Sequence, residues 1–126
     1  MRTITKNYTI NAPIEKVWDA LVNPVTIDKW GGGPVKMEAT QNFKFEIWGG
    51  DIHGKNIKVE KNKILKQDWY SGDWSKPSRL RFELFEKDGK TILHLLHENV
   101  PDDEAKDIDK GWDDYYLGPI KDLLEK

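Results

Sequence analysis

The sequence predicts an α+β fold in which a curved antiparallel sheet wraps around one long C-terminal helix. For most of the first hundred residues, apolar and polar side chains alternate, which is typical of strands with one buried face. From residue 101 onward the apolar spacing changes to that of an amphipathic helix. A chain of 126 residues is long enough for one domain with a sizeable core. We therefore expect residues 1–126 to form a single domain with about six or seven strands.

The first strand and two short helices are predicted from the N-terminal third. Residues 3–10 alternate, with Ile4, Tyr8 and Ile10 on one face. Pro13 then favours a helix start, and residues 14–21 carry apolar side chains at helical spacing. Residues 25–30 predict a second short helix, which is followed by a glycine-rich loop. The two helices thus lie between the first and second strands.

Six further strands are predicted in hairpin succession. They cover residues 35–39, 43–47, 57–59, 65–69, 80–84 and 91–99. The turn between the last two contains Asp88-Gly89, a strong hairpin signal because both residues accept positive φ. Hairpin succession predicts antiparallel pairing throughout, with one face covered and the other in water.

The last predicted element is a helix over residues 101–126. Asp102, Asp103 and Glu104 place acidic groups at its start, where they complement the helix dipole. The apolar stripe consists of Ala105, Ile108, Trp112, Tyr115, Tyr116, Ile120, Leu123 and Leu124. Such a helix is roughly 35 Å long and needs a large apolar surface to pack on. Gly118-Pro119 interrupts it, and we expect a kink there because proline cannot donate a backbone hydrogen bond.

Charge and composition exclude several classes of protein. The 20 basic and 22 acidic side chains give a net charge of −2, which is not typical of a protein that binds nucleic acid or acidic membranes. There is no apolar run long enough to span a bilayer and no signal-peptide core at the N-terminus. The chain has no cysteine. These features predict a cytoplasmic protein without a cofactor, as a monomer or weak dimer.

Together, the element order and several local motifs resemble the helix-grip fold of the START-like, or SRPBCC, superfamily. Within it the chain is similar to the C-terminal domain of the activators of the heat-shock protein 90 ATPase. The motifs are residues 11–18, Trp30, residues 50–54, Trp69, Trp74, residues 91–95 and the Gly-Trp-Asp-Asp-Tyr-Tyr run at residues 111–116. The resemblance implies a non-enzymatic binding domain that contacts a chaperone of the heat-shock protein 90 class. It also implies a scaffold that hosts many functions.

Aromatic side chains are numerous, and most fall on faces predicted to look inward. This inward set, with one histidine, is Trp18, Trp30, Phe43, Phe45, Trp69, Phe82, His97, Trp112 and Tyr116. If such rings leave a gap, it is an apolar cavity of roughly 300 to 1,000 Å³ that binds a small ligand. The alternative function is therefore a carrier or sensor of a small hydrophobic molecule. A core closed by these rings is the competing interpretation.

Four further apolar side chains fall outside the inward set. Trp48, Tyr70, Trp74 and Leu96 predict an exposed patch of the kind that contacts a protein partner.

An acid–base site is the weakest of the three hypotheses. His97 shares a face with Leu93 and Leu95, so it is predicted to look toward the helix, with Tyr115 or Tyr116 as its catalytic partner. A buried imidazole hydrogen-bonded to a tyrosine is the competing interpretation. His94 lies on the opposite face of the same strand by parity, so the histidines predict no metal site.

Overall fold

A computed structural model describes residues 1–126 and contains one six-stranded antiparallel sheet in the order β1-β6-β5-β4-β3-β2. The strands are β1 (Arg2–Ile10), β2 (Lys44–Ile47), β3 (Ile52–Glu60), β4 (Ile64–Ser71), β5 (Ser78–Lys87) and β6 (Lys90–Val100). Helices α1 (Ile14–Val22) and α2 (Pro24–Trp30) lie between β1 and β2, as predicted. The C-terminal helix consists of α3 (Ala105–Gly111), a π-helical segment (Trp112–Leu117) and α4 (Gly118–Leu124). The predicted helix-grip architecture is confirmed.

One predicted strand is wrong. Residues 35–39 form no strand and make a single bridge, between Lys36 and Glu46. The reason lies in the side-chain amide of Asn56, which donates to the carbonyls of Glu38 and Thr40 over 2.9 and 3.2 Å. These carbonyls therefore bind a side chain, and β2 remains the edge strand of the sheet.

The core lies between the inner face of the sheet and the helices. It is one cluster of 26 buried hydrophobic residues. The predicted alternation places Leu65, Leu80, Phe82, Leu93 and Leu95 inward, and all five are fully buried. Each such side chain contributes about 1.5–3 kcal/mol through burial, so this inner face fixes the register of the central strands.

The irregularity of the C-terminal helix lies in the turn before Gly118-Pro119 rather than at that dipeptide. Residues Trp112–Leu117 are π-helical, and Pro119 occupies the first turn of α4. A side chain at residue 118 is excluded, because its β-carbon would lie 2.1 Å from the carbonyl oxygen of Asp113. The wider π turn turns both Trp112 and Tyr116 toward the core, whereas Tyr115 is 66% exposed.

None of the helices is both long and apolar enough to cross a lipid bilayer.

Candidate functional site

Seven aromatic rings form one continuous cluster beneath the C-terminal helix. We call this the aromatic cluster: Trp30, Trp48, Trp69, Trp74, Phe82, Trp112 and Tyr116. Trp112 is central, with ring centroids 4.6 Å from Tyr116, 5.5 Å from Trp69 and 5.8 Å from Phe82. Contacts at these distances add to the free energy of burial. The cluster therefore joins β4 and β5 to the helix through side chains of the π-helical segment.

His97 lies inside this cluster and is fully buried. The indole N–H of Trp112 donates to its Nδ1 over 3.1 Å, and Nε2 lies 2.7 Å from the hydroxyl of Ser78. Because an indole nitrogen only donates, Nδ1 is the acceptor and the proton of the neutral ring is on Nε2. His97 therefore donates to Ser78, whose hydroxyl in turn donates to the carbonyl of Trp69 over 2.7 Å.

This network decides what the imidazole can do. Burial lowers the pKa of His97 to about 3, and its one lone pair already accepts from Trp112. The predicted hydrogen bond to a tyrosine is wrong, because Trp112 and Ser78 occupy both ring nitrogens. Tyr115 is exposed, and burial raises the pKa of Tyr116. The geometry thus gives no support to an acid–base pair of His97 with either tyrosine.

A pocket of about 220 Å³ opens between the helix and the β3–β4 end of the sheet. Its walls are Trp48, Ile52, Trp69, Ser71, Glu104, Asp107, Ile108, Gly111, Trp112, Tyr115 and Tyr116. The indole nitrogen of Trp69 is buried and has no hydrogen-bond acceptor in the protein. Gly111 faces open space, since a β-carbon there would have no atom within 4 Å. The pocket thus combines aromatic walls with the side chains of two acidic residues, Glu104 and Asp107.

The inward set predicted from the sequence is divided by the structure. Trp69, Trp112 and Tyr116 line the pocket. Trp18, Trp30, Phe45, Phe82 and His97 are buried but do not line it, and Phe43 is half-buried. Two wall residues that sequence reasoning missed, Ile52 and Ile108, follow ordinary strand and helix patterns, so only the fold brings them to the pocket.

The four residues predicted as one exposed patch lie on two sides of the sheet. Trp48 and Trp74 fold over the inner side, where Trp48 packs against Tyr116 and Trp74 donates to Glu104 over 2.6 Å. Tyr70 and Leu96 lie on the outer face, as strand parity requires. All four are half-buried. The prediction of a single patch is therefore wrong. Trp48 and Trp74 lie in turns, where the alternation of a strand does not determine the side on which a side chain lies.

A polar clasp joins β1 to the C-terminal helix. Lys6 donates to Asp109 and, over 2.8 Å, to Asp113, which also accepts from the hydroxyl of Tyr8. Burial opposes the charge of Lys6, but the hydrogen bonds and charges of the two aspartates outweigh it and raise the pKa of Lys6. Burial likewise opposes ionisation of Asp113, but hydrogen bonds from Lys6 and Tyr8 lower its pKa. The signal was present in the sequence: Lys6 shares the inward parity of Tyr8.

The other two histidines lie away from this site. His53 stacks on Tyr70 with ring centroids 4.9 Å apart, and Nδ1 of His94 lies 2.7 Å from the side-chain oxygen of Asn7.

The family model described as "Activator of Hsp90 ATPase homolog 1-like protein" matches residues 11–125. The chain belongs to this family. It is 27% identical over 123 residues to an uncharacterised protein of Schizosaccharomyces pombe, which covers 96% of this chain and 37% of that protein. It is 26% identical over 124 residues to the Hsp90 co-chaperone AHA1 of Saccharomyces cerevisiae, which covers 90% of this chain and 35% of that protein.

A solved structure supports the fold. An HSP90 activator from Plasmodium falciparum superposes with a TM-score of 0.91 at 21% identity, and the match covers 98% of this chain and 96% of that chain. The chain spans about a third of the length of the curated relatives described above. The matched region is therefore only a part of each of those longer proteins.

Proposed function

We propose that this domain binds a chaperone of the Hsp90 class as a non-enzymatic, co-chaperone-like module. The observation that carries the proposal is the family match, which extends over residues 11–125 and so includes every helix and all strands but the first. The name of the Saccharomyces cerevisiae relative supports the choice of partner. We expect this binding to take place in the cytoplasm, which suits a chain without cysteine.

The site geometry supports a binding role. His97, the one histidine in the core, has both ring nitrogens engaged by Trp112 and Ser78. The aromatic cluster packs the helix against the sheet, so the surfaces of the domain are already ordered before a partner binds. Binding therefore loses little conformational entropy.

Isothermal titration of the chaperone with the full chain tests the proposal. We expect saturable binding of the folded wild-type protein. Absence of heat and of complex formation at high micromolar concentrations of both proteins would overturn the proposal.

The pocket favours a second candidate function, in which the domain carries or senses a small hydrophobic molecule. At about 220 Å³ the pocket lies below the range of roughly 300–1,000 Å³ that drug-sized ligands occupy, so a single small ring is the size that fits. Gly111 supports this reading, because glycine within a helix costs roughly 0.5–1 kcal/mol relative to alanine and here leaves the pocket open.

A pocket-filling variant separates this function from the first. Gly111→Leu places a side chain in the open space, whereas Lys110→Leu changes a neighbouring exposed position. Isothermal titration with indole is expected to give saturable binding to the wild type and Lys110→Leu and none to Gly111→Leu. Equal binding to all three proteins would rule out the pocket as the binding site.

A further inference from the structure

The outer face of the sheet carries positive charges in a pattern that folding does not require. Lys58, Lys66 and Arg81 lie directly opposite one another on β3, β4 and β5. Lys44 and Lys55 form a second opposed pair on β2 and β3. Like charges directly opposite one another destabilise neighbouring strands. This arrangement of cations therefore weakens the fold. Binding of an external anionic group would explain why the cations are placed there.

Neighbouring carboxylates neutralise these cations in part. Arg81 lies 3.9 Å from Glu83, and Lys58 lies 3.9 Å from Glu60. Asp68 lies opposite Lys55 and is ion-paired to Arg79 over 3.0 Å. Lys44, Lys55 and Lys66 form no ion pair, and the buried Nε of Arg81 has no hydrogen-bond partner. The centre of the outer face therefore keeps a surplus of positive charge, although the whole chain has a net charge of −2.

The distribution of charge favours a compact acidic partner over a long polyanion. Residues 101–126, on the opposite side of the sheet, carry nine acidic side chains against four lysines. On the outer face itself, Glu60, Asp68 and Glu83 lie two residues along the strands from Lys58, Lys66 and Arg81. A nucleic acid or an anionic membrane extends beyond the cationic rows and is repelled by these flanking carboxylates. A protein surface of matching size does not.

A second copy of the chain fits less well. Its acidic helix would have to dock on the outer face of the first copy, and such head-to-tail contacts form open chains unless the rotation closes them. Several of the helix acids are also engaged within their own chain, Asp113 by Lys6 and Asp102 by the amino terminus.

We infer that the outer face around Lys58, Lys66 and Arg81 docks an acidic surface of the chaperone partner. Leu96 lies directly opposite Arg81 and supplies an apolar contact beside the cations. The inference rests on the proposed function and adds to it the part of the domain that makes the contact and the chemistry of the surface that it meets.

Charge reversal tests the inference. The variant Lys58→Glu/Lys66→Glu is compared with Lys16→Glu/Lys106→Glu, which changes net charge equally at exposed positions of α1 and α3. The first variant is expected to bind the chaperone about tenfold more weakly at low salt, and the control is expected to bind as the wild type does. Raising the salt concentration is expected to weaken wild-type binding and to narrow the difference.

Thermal unfolding provides an independent readout. In the first variant residue 66 attracts Arg81, whereas residues 58 and 66 again carry like charges, so the midpoint is expected to stay within about 3 °C of the wild type. Weaker binding by a protein of unchanged stability excludes misfolding as the cause. A neutral pair, Lys58→Gln/Lys66→Gln, is expected to bind with an affinity between those of the wild type and the charge-reversal variant.

Three results would overturn the inference. If the charge-reversal variant binds the chaperone as tightly as the wild type does, the outer face is not the docking surface, although the proposed function still holds. No binding by the wild type removes both. The third result is binding of the wild type to anionic phospholipid vesicles, measured by sedimentation, or to duplex DNA, measured by gel shift. If the charge-reversal variant loses that binding but still binds the chaperone, the outer face belongs to a different partner.

Discussion

The indole N–H of Trp112 points at Nδ1 of His97 across 3.1 Å and thereby fixes which nitrogen of a fully buried imidazole carries the proton. The contact joins the C-terminal helix to β6 at the middle of the core. A protonated imidazole would place two N–H groups against each other, so the fold itself selects the neutral ring.

The free energy of unfolding is therefore expected to fall as the pH drops below about 6.5. Above that pH the imidazole is neutral in both states. Below it the unfolded chain gains a proton, whereas the folded chain does not until the pH nears the lowered pKa of His97, about 3. The loss is about 1.4 kcal/mol per pH unit, or about 2 kcal/mol between pH 7 and pH 5.

Urea unfolding at these two pH values measures the effect. His97→Asn is expected to be less stable than the wild type at both pH values. Between pH 7 and pH 5, its free energy of unfolding should fall by about 2 kcal/mol less than that of the wild type. An identical pH dependence in wild type and variant would contradict the assigned protonation state.

The polar clasp between β1 and the helix is expected to stabilise the fold modestly. Asp113→Asn removes the charge that Lys6 and Tyr8 both contact, at a cost of about 1 kcal/mol because the site is partly exposed and screened by solvent. Asp114→Asn, at the exposed neighbouring position, is expected to change stability by less than about 0.5 kcal/mol. Chemical denaturation of both variants makes the comparison.

The sign of the pH dependence gives the clasp a second test. Since the pKa of Asp113 is lowered from its ordinary 3.8, the stabilisation is present above that value and is lost as the pH falls below it. Equal costs for Asp113→Asn at pH 6 and pH 3 would contradict an ionic clasp.

Two glycines of the C-terminal helix are expected to respond to alanine in opposite directions. Gly118→Ala forces the backbone away from the carbonyl of Asp113, 2.1 Å from the new β-carbon, and should cost about 1–3 kcal/mol. Gly111→Ala meets open space in a helical conformation and should stabilise by about 0.5–1 kcal/mol. Their thermal midpoints report the difference. A midpoint of Gly118→Ala that does not fall would show that the π-helical segment tolerates a side chain at residue 118.

Side-chain periodicity accounts for how much of the fold was predictable. Of the six strands predicted after the first, five are present, and they follow from the alternation of residues such as Leu80, Phe82 and Leu84. The helices follow from apolar side chains at helical spacing. Residues 35–39 have the same alternation but form no strand, because the side-chain amide of Asn56 binds the carbonyl of Glu38 and that of the following Thr40. The π-helical segment was not predictable either, since it depends on how Gly118 meets Asp113 in three dimensions.

The site was less predictable than the fold. Helical spacing placed Trp112 and Tyr116 inward, and strand parity placed His97 beside them. The partners of His97 were missed because Ser78 reads as a turn serine until β5 is seen to begin there. Trp48 and Trp74 were assigned to the surface because they lie in turns, yet the turns fold over the aromatic cluster.

The most direct test of the account is an amide nitrogen–proton NMR titration of the isotope-labelled chain with the chaperone. We predict that resonances of β3, β4 and β5 around Lys58, Lys66 and Arg81 shift or broaden saturably, while those of the exposed residues Glu15 and Lys16 of α1 remain unchanged. A spectrum that stays the same throughout, at an excess of chaperone, would contradict the central claim that this domain binds it.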